Sequence, residues 1–272
     1  MKLYGIIGYP LEHSLSPLLH NWALEQGGIA GAYLPWPLHA GQMHDFVSAV
    51  RILNIQGASV TIPHKEAIMP LLDKLTTHAR MVGAVNTLYW DNGALCGDNT
   101  DVDAFIAPLR GRSLSSALVL GAGGVARAAL AGLRELGLLN IAVCNHHKER
   151  AQKLAEEFGV ECANWEERAQ YGADLIVNAT PLGMRGALEE KNPLPLEAFT
   201  RRRAGSHMAY DIIYTPLTTH FLAEAEAVGW QVQDGLTMFI AQAQAQFRLW
   251  TGGEFPETAA RALLLRELGK RR

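Results

Sequence analysis

Residues Ser116 to Leu133 read SALVLGAGGVARAALAGL. Ala117, Leu118, Val119 and Leu120 form a short unbroken apolar run, as expected of a strand buried on both faces of a parallel sheet. Gly121, Ala122, Gly123, Gly124, Val125 and Ala126 follow and fit the spacing G-x-G-x-x-G/A. The alanine-rich segment after them is a good helix former. Strand, glycine turn and helix in that order are the context in which this spacing reads as a dinucleotide fingerprint. Gly121 allows the tight turn, Gly123 lets the backbone approach a pyrophosphate, and Ala126 keeps the helix close to the strand. The N–H groups and positive dipole end of the new helix face the anion. The competing reading is a strand–helix turn that binds nothing, because a bare glycine match is weak.

Downstream of this stretch the pattern repeats as strands and helices. Ile141 to Cys144, Leu175 to Asn178 and Met208 to Ile213 read as strands, and Arg150 to Phe158 and Thr218 to Val228 as helices. That alternation predicts a doubly wound nucleotide-binding sheet. After Gly235 the pattern is helical to the end. Upstream, Leu3 to Ile7, Ala32 to Pro35 and Ala58 to Ile62 read as strands, with helices beginning near Pro17 and over Met43 to Val50. Asn86 to Trp90 and Ala94 to Gly97 read as a hairpin around Asp91-Asn92-Gly93. Lys65 falls just past a strand, where the next helix is expected to begin. A helix capped by Asn99 or Thr100 starts near Asp101 and marks the domain boundary. The expected fold class is α/β, with an N-terminal α/β unit ahead of a Rossmann-type unit.

The length of 272 residues suggests about two domains. A hydrophobic fraction of 49% supports a full core, and a net charge of −3 supplies no basic stripe for nucleic acid. The Arg201-Arg202-Arg203 run is short and reads as a solvated loop. Cys96, Cys144 and Cys162 fit neither a disulfide framework nor a zinc site, which points to a reducing compartment. No signal peptide and no apolar stretch of about 20 residues is evident, so the expectation is a soluble cytoplasmic protein with no membrane contact.

Four polar clusters fall at strand ends, where open α/β sheets bind ligands. They are Ser14 and Ser16 with His13 and Asn21; Val60 to Lys65; Gly83 to Thr87; and Gly97 to Asp101. Hydroxyls, an amide, an ammonium and a carboxylate are what a small polyhydroxylated acid needs, each hydroxyl being read by a placed donor or acceptor. Singly, Ser14, Ser16 and Asp101 also read as helix caps, Asn86 as a turn residue and Lys65 as surface. If a nicotinamide dinucleotide reduces a ketone of such an acid, the reaction requires a hydride, a proton for the new alkoxide and stabilisation of its charge. No histidine-rich metal motif is present, since the ten histidines form no H-E-x-x-H and His39 and His44 read as surface, so a side chain is expected to do this work, and Lys65 suits it. At a helix N-terminus the dipole disfavours an ammonium, whereas a neighbouring carboxylate such as Asp101 favours it. Two assignments follow: Lys65 transfers the proton with Asp101 orienting it, which is preferred, or Asp101 acts as base while Lys65 holds the oxygen.

Together the clusters resemble the shikimate dehydrogenase family along nearly the whole chain. The resemblance rests on Gly8-x-Pro10-x-x-His13-Ser14-x-Ser16-Pro17-x-x-His20-Asn21, Val60-Thr61-x-Pro63-x-Lys65, Gly83-Ala84-Val85-Asn86-Thr87 and Gly97-x-Asn99-Thr100-Asp101. It continues through the glycine turn, Asn178-Ala179-Thr180-Pro181-x-Gly183-Met184, Asp211-x-x-Tyr214 and Gly235-x-x-Met238-x-x-x-Gln242. It implies reversible reduction of 3-dehydroshikimate to shikimate by a nicotinamide cofactor, in the pathway to chorismate and the aromatic amino acids. It implies a substrate domain over residues 1–100 plus 237–272, a nucleotide domain over 101–236, and closing helices that pack on the first domain. By the same resemblance Ser14 and Ser16 hold the substrate carboxylate. Thr61, Lys65, Asn86, Asp101 and Gln242 contact the ring hydroxyls, and Lys65 and Asp101 form the catalytic pair. Gly121 to Ala126 and Thr180 serve the cofactor, and Ile212, Tyr214 and Gly235 match positions near the nicotinamide and substrate. Ile212 stands where Met is expected, a small apolar change. The implied assembly is a monomer or homodimer.

The second strand of the nucleotide unit ends in Cys144-Asn145-His146-His147-Lys148. An NAD site usually carries an acid about 20 residues past the glycines, and none is present. NADP-dependent members of the family usually carry Asn-Arg-Thr or Asn-Arg-Ser; here Asn145 is kept, His146 replaces Arg and His147 replaces Thr or Ser. Arg forks onto a 2′-phosphate and stacks on adenine, which neutral His does poorly. Lys148 or Arg150 supplies positive charge nearby. The family pattern favours NADP(H), with NAD(H) as the alternative. Rival functions are an NAD(H)-linked quinate/shikimate dehydrogenase, a divergent member in an accessory route, and a nucleotide-binding sensor lacking Lys65 or Asp101, both of which are present.

Overall fold

The structure, a computed structural model, describes residues 1–200 and 207–270; the Arg201-Arg202-Arg203 run lies outside the described residues. The chain divides into two compact units, Met1–Asp101 with Ile240–Arg272, and Val102–Phe239. Among the described residues no helix is long and apolar enough to cross a membrane.

The first unit carries strands β1 (Lys2–Gly8), β2 (Gly31–Pro37), β3 (Gly57–Val60), β4 (Lys74–Leu75), β5 (Thr87–Asp91) and β6 (Ala94–Asp98). Their order in the sheet is β2-β1-β3-β5-β6-β4. The helices Ser16–Gln26 and Met43–Ile52 connect the first three strands, and crossovers of this kind make β1 parallel to both β2 and β3. β5 and β6 are antiparallel because only Asn92 and Gly93 separate them. Both residues have positive φ, 48° and 80°, which a two-residue type I′ turn requires. Met43, Phe46, Val47 and Val50, spaced along one face of their helix, pack with Ile7, Ala58, Val60 and Leu88 of the sheet. Within this unit Trp250 Nε1 donates to Leu88 O at 2.8 Å, and a Cβ on Gly57 would meet the Trp250 ring at 2.2 Å. Gly57 is therefore the point where the helix Gly235–Thr251 presses on a strand.

One expectation fails here. The strand Ala58 to Ile62 ends at Val60, and no helix begins at Lys65. Residues 61–68 run through turns, and helical structure resumes only as a single 3₁₀ turn, Met69–Leu71. The Lys65 carbonyl, which a helix would offer to residue 69, accepts instead from Val85 N at 2.7 Å. Met69 N donates to Glu66 O, and Pro70 has no N–H to extend the turn.

The second unit holds β7 (Ser116–Leu120), β8 (Asn140–Cys144), β9 (Glu161–Cys162), β10 (Leu175–Asn178), β11 (Met208–Asp211) and β12 (Gln231–Gln233). They are ordered β12-β11-β10-β7-β8-β9, and every neighbouring pair is parallel. Strand order reverses between β7 and β10, the topological switch point of a doubly wound sheet. Ala117, Leu118, Val119 and Leu120 are fully buried, which is why their run is unbroken. The expected strand Met208 to Ile213 stops at Asp211. Beyond it, Ile213 N turns back to the Asp211 side chain. The edge strands β9 and β12, of two and three residues, are too short to show a period.

Candidate active site

In the first unit Lys65 Nζ donates to Asp101 Oδ2 at 2.6 Å, and the two side chains are 11% and 8% exposed. Buried charges must be paired and have their remaining sites filled. Asn86, 2% exposed, fills the other carboxylate oxygen: its Nδ2 donates to Asp101 Oδ1 at 2.8 Å and to Thr100 Oγ1 at 2.9 Å. Asn86 Oδ1 in turn accepts from Thr100 N at 2.9 Å and Thr87 Oγ1 at 2.6 Å. Asp101 opens the helix Asp101–Ile106, and its N–H donates to Asn99 Oδ1 at 3.1 Å. The helix start expected beneath Lys65 is absent, and turns run there instead.

The remaining residues expected at the substrate divide. Ser14 and Ser16 lie together, Ser16 N donating to Ser14 Oγ at 3.3 Å at the start of the helix Ser16–Gln26. Neither serine occupies the N-cap position, which is Leu15, although Ser14 Oγ takes the first helical N–H. Thr61 is half-buried, its N–H on Ile7 O at 2.9 Å. Gln242 is half-buried, and its carbonyl lies 3.3 Å from Thr100 Oγ1. Asn21 has a framework role: its amide accepts from Tyr33 N and donates to Tyr33 O and Pro17 O, pinning β2. His64 is committed to Leu38 O at 2.6 Å. Tyr214, grouped with the substrate residues by resemblance, belongs to the second unit, where its ring lies 4.7 Å from that of Phe239.

In the second unit Gly121 has φ +117°, and a Cβ there would meet Ala179 O at 2.6 Å, just beyond β10. The glycine is forced by the close approach of two strand ends at the switch point. Gly123 is the N-cap of the helix Gly124–Glu135 with no side-chain cap, and a Cβ on it would meet nothing within 4 Å. Ala122, Gly124 and Val125 are half-buried and Ala126 fully buried. A bare helix start with open space above its backbone fits a pyrophosphate. Thr180 is held by Asn178 Oδ1, 2.7 Å from its hydroxyl and 3.0 Å from its N–H. Ile212 N donates to Asn178 O at 3.1 Å, and a Cβ on Gly235 would meet Ile212 O at 2.2 Å. Asn145 Nδ2 donates to His147 O at 3.2 Å. His146 and His147 are exposed, with rings 4.0 Å apart, and His146 lies edge-on to Trp165 at 6.3 Å. Asp211 is fully buried and accepts from Thr219, Ile213 and Asn178. Burial pushes its carboxyl up to about 6, against the pull of these donors.

Sequence reasoning missed Tyr33, Ser59 and Gln246, which are buried and hydrogen-bonded to one another. The run Gln242-x-Gln244-x-Gln246 held a usable signal, since residues four apart share a helix face.

A family model described as shikimate dehydrogenase substrate binding domain matches residues 6–88, and one described as shikimate 5'-dehydrogenase C-terminal domain matches 235–265. Residues 117–191 match a model described as NADP oxidoreductase, coenzyme F420-dependent. A shikimate dehydrogenase (NADP(+)) of Oleidesulfovibrio alaskensis is 53% identical over 265 residues, 97% of this chain and 94% of that protein. The structure of shikimate 5-dehydrogenase from Thermus thermophilus, in complex with NADP(H) and shikimate, has TM-score 0.87 and 38% identity, covering 98% of this chain and 99% of that one. Quinate dehydrogenase from Corynebacterium glutamicum, in complex with NAD, has TM-score 0.89 and 31% identity, covering 97% and 99%. Identity of this extent over nearly the whole chain covers both units, so the chain belongs to the shikimate dehydrogenase family.

Proposed function

We propose that the protein catalyses the reversible NADP(H)-dependent reduction of 3-dehydroshikimate to shikimate, in the cytoplasm, on the route to chorismate and the aromatic amino acids. The observation that carries this reading is the buried Lys65–Asp101 pair at 2.6 Å, with Asn86 on the second carboxylate oxygen. The first unit binds the substrate and the second the cofactor. The nicotinamide supplies the hydride. Lys65 donates the proton to the ketone oxygen and withdraws it in the reverse direction. Asp101 accepts hydrogen bonds at both oxygens, which suits it to orient Lys65 and to balance its charge. Ser14 and Ser16 hold the carboxylate, and Thr61, Asn86 and Gln242 read the ring hydroxyls. Gly121 to Ala126 and Thr180 hold the cofactor's phosphate-bearing half, with Asn145, His146 and His147 at its 2′-phosphate end. Ile212, Tyr214 and Gly235 border the nicotinamide and substrate.

A second reading, an NAD(H)-linked quinate/shikimate dehydrogenase, is favoured by one observation, His146 in place of the phosphate-forking Arg. Steady-state kinetics with shikimate and quinate against NADP⁺ and NAD⁺ tests both. The highest kcat/KM is expected for shikimate with NADP⁺. Superior turnover of quinate with NAD⁺ selects the second reading, and no oxidation of shikimate with either cofactor overturns the proposal.

A further inference from the structure

Gln246 lies one turn beyond Gln242 in the helix Gly235–Thr251 and is 1% exposed. Ser59 and Thr87 face each other across β3 and β5, so their side chains project to the same side of the sheet. Gln246 spans them. Its Oε1 accepts from Ser59 Oγ at 2.7 Å, and its Nε2 donates to Thr87 Oγ1 at 3.0 Å and Asn86 O at 3.1 Å.

The chain of hydrogen bonds continues at both ends. Tyr33 OH donates to Ser59 Oγ at 2.7 Å. Thr87 Oγ1 donates to Asn86 Oδ1 at 2.6 Å, Asn86 Nδ2 to Asp101 Oδ1 at 2.8 Å, and Asp101 Oδ2 takes Lys65. Each hydroxyl has a single proton to give. Tyr33 gives its proton to Ser59, Ser59 to Gln246, and Thr87 to Asn86, so the donor direction is set from Tyr33 to Asp101. Turned over, the Asn86 amide would set its oxygen against the Asp101 carboxylate and its NH₂ against the Thr87 and Thr100 donors. A buried mismatch of that kind is costly.

We propose that Gln246 is a positioning residue for the reaction: it orients the Asn86 amide and thereby holds Asp101 against Lys65. The inference rests on Lys65 and Asp101 as the catalytic pair. A purely structural Gln246 would only fasten the helix to β3 and β5.

Two variants separate these roles. Gln246→Met keeps the length and removes both polar ends. Gln246→Glu keeps the acceptor for Ser59 but, when ionised, also draws the Thr87 proton away from Asn86. Burial favours protonation of such a carboxyl as pH falls, the buried His20 imidazole that faces Gln246 opposes it, and the protonated group has the polarity of the amide. With shikimate and NADP⁺, kcat is expected to fall about 10-fold in Gln246→Met and about 100-fold in Gln246→Glu above pH ~8, since small misplacements cost rates of this size. Relative to wild type at each pH, only Gln246→Glu recovers on acidification. Crystals of Gln246→Glu grown at high pH should show the Asn86 amide withdrawn from Asp101 Oδ1. Folded variants with kcat within about twofold of wild type at every pH, or an unmoved Asn86–Asp101 contact, would overturn the proposal. If Gln246→Glu does not fold, unchanged kcat in Gln246→Met does so. If the wild type fails to oxidise shikimate, the functional reading falls, and the crystallographic comparison still decides the role of Gln246.

Discussion

Lys65 Nζ and Asp101 Oδ2 stand 2.6 Å apart, on residues 36 positions distant in the chain, and both side chains are about nine-tenths buried. An ion pair this far from water is tolerated only because Asn86 fills the second carboxylate oxygen and Asn99 receives the Asp101 N–H. Such a pair is poor grounds for stability and good grounds for chemistry. Lys65→Ala is expected to lower kcat by about 10²–10⁴, with a smaller change in the KM for shikimate. Kinetics at saturating cofactor check this, and unchanged turnover removes Lys65 from the mechanism.

The two turn glycines should separate folding from cofactor binding. Gly121→Ala brings a Cβ to 2.6 Å from Ala179 O at φ +117°, so the variant should lose stability by about 1–3 kcal/mol. Gly123→Ala meets no protein atom within 4 Å. Its thermal midpoint should fall less than that of Gly121→Ala, by the small loss of a Gly N-cap, while the KM for NADP⁺ rises about tenfold or more, a loss of about 1.4 kcal/mol or more of binding. Thermal melts and cofactor titrations distinguish the pair. Wild-type NADP⁺ affinity in Gly123→Ala would argue against the pyrophosphate lying over this backbone.

Cofactor preference should respond to His146. His146→Arg introduces a permanent, forked cation in place of an imidazole. The expected result is a gain of about tenfold in the ratio of kcat/KM for NADP⁺ over NAD⁺, equal to about one charge-assisted hydrogen bond. A ratio that does not move would place the 2′-phosphate away from this side chain.

Two buried groups should tilt the pH dependence of stability in opposite directions. His20, stacked 4.5 Å from Tyr33, is held down to about 3 by burial, partly opposed by the Gln246 amide. The unfolded chain therefore takes up a proton that the fold refuses. Stability from this group is intact above pH ~6.5 and is lost as pH falls from there towards about 3. Asp211 is raised from 3.8 to about 6, so the fold keeps a proton that the unfolded chain releases. Its contribution is full below pH ~4 and is lost as pH rises through about 6. Urea unfolding between pH ~2.5 and ~8 checks both. His20→Phe should gain on wild type as pH falls, and Asp211→Asn as pH rises, with each difference levelling off outside its window. Differences independent of pH would contradict the burial argument.

Much of the site was legible because its motifs are local. The glycine turn, the hairpin around Asn92-Gly93 and the clusters at Lys65, Asn86 and Asp101 each depend on residues within a few positions of one another. Local spacing around Lys65 predicts a helix, but a distant strand end decides its backbone. Nothing near residue 65 shows that its carbonyl is taken by Val85, so a helix was expected where turns run. Gln246 was missed for the same reason: its partners Asn86, Thr87 and Ser59 lie 160, 159 and 187 positions away.

By itself, the sequence determined the α/β class, the parallel nucleotide sheet and the position of its glycine turn. These follow from side-chain period and backbone permissiveness, which act over a few residues. It also supplied the lysine, amide and carboxylate proposed for the reduction. Only the tertiary structure decided that Lys65 sits in a turn with Asp101 as its charged partner. Only it decided that the carboxylate is held by Asn86 and that Gln246 bonds Ser59, Thr87 and the Asn86 carbonyl. Those facts depend on strand register, which sets Ser59 beside Thr87, and on the docking of the helix Gly235–Thr251 within the first unit. Both are long-range packing outcomes that no local window of sequence contains.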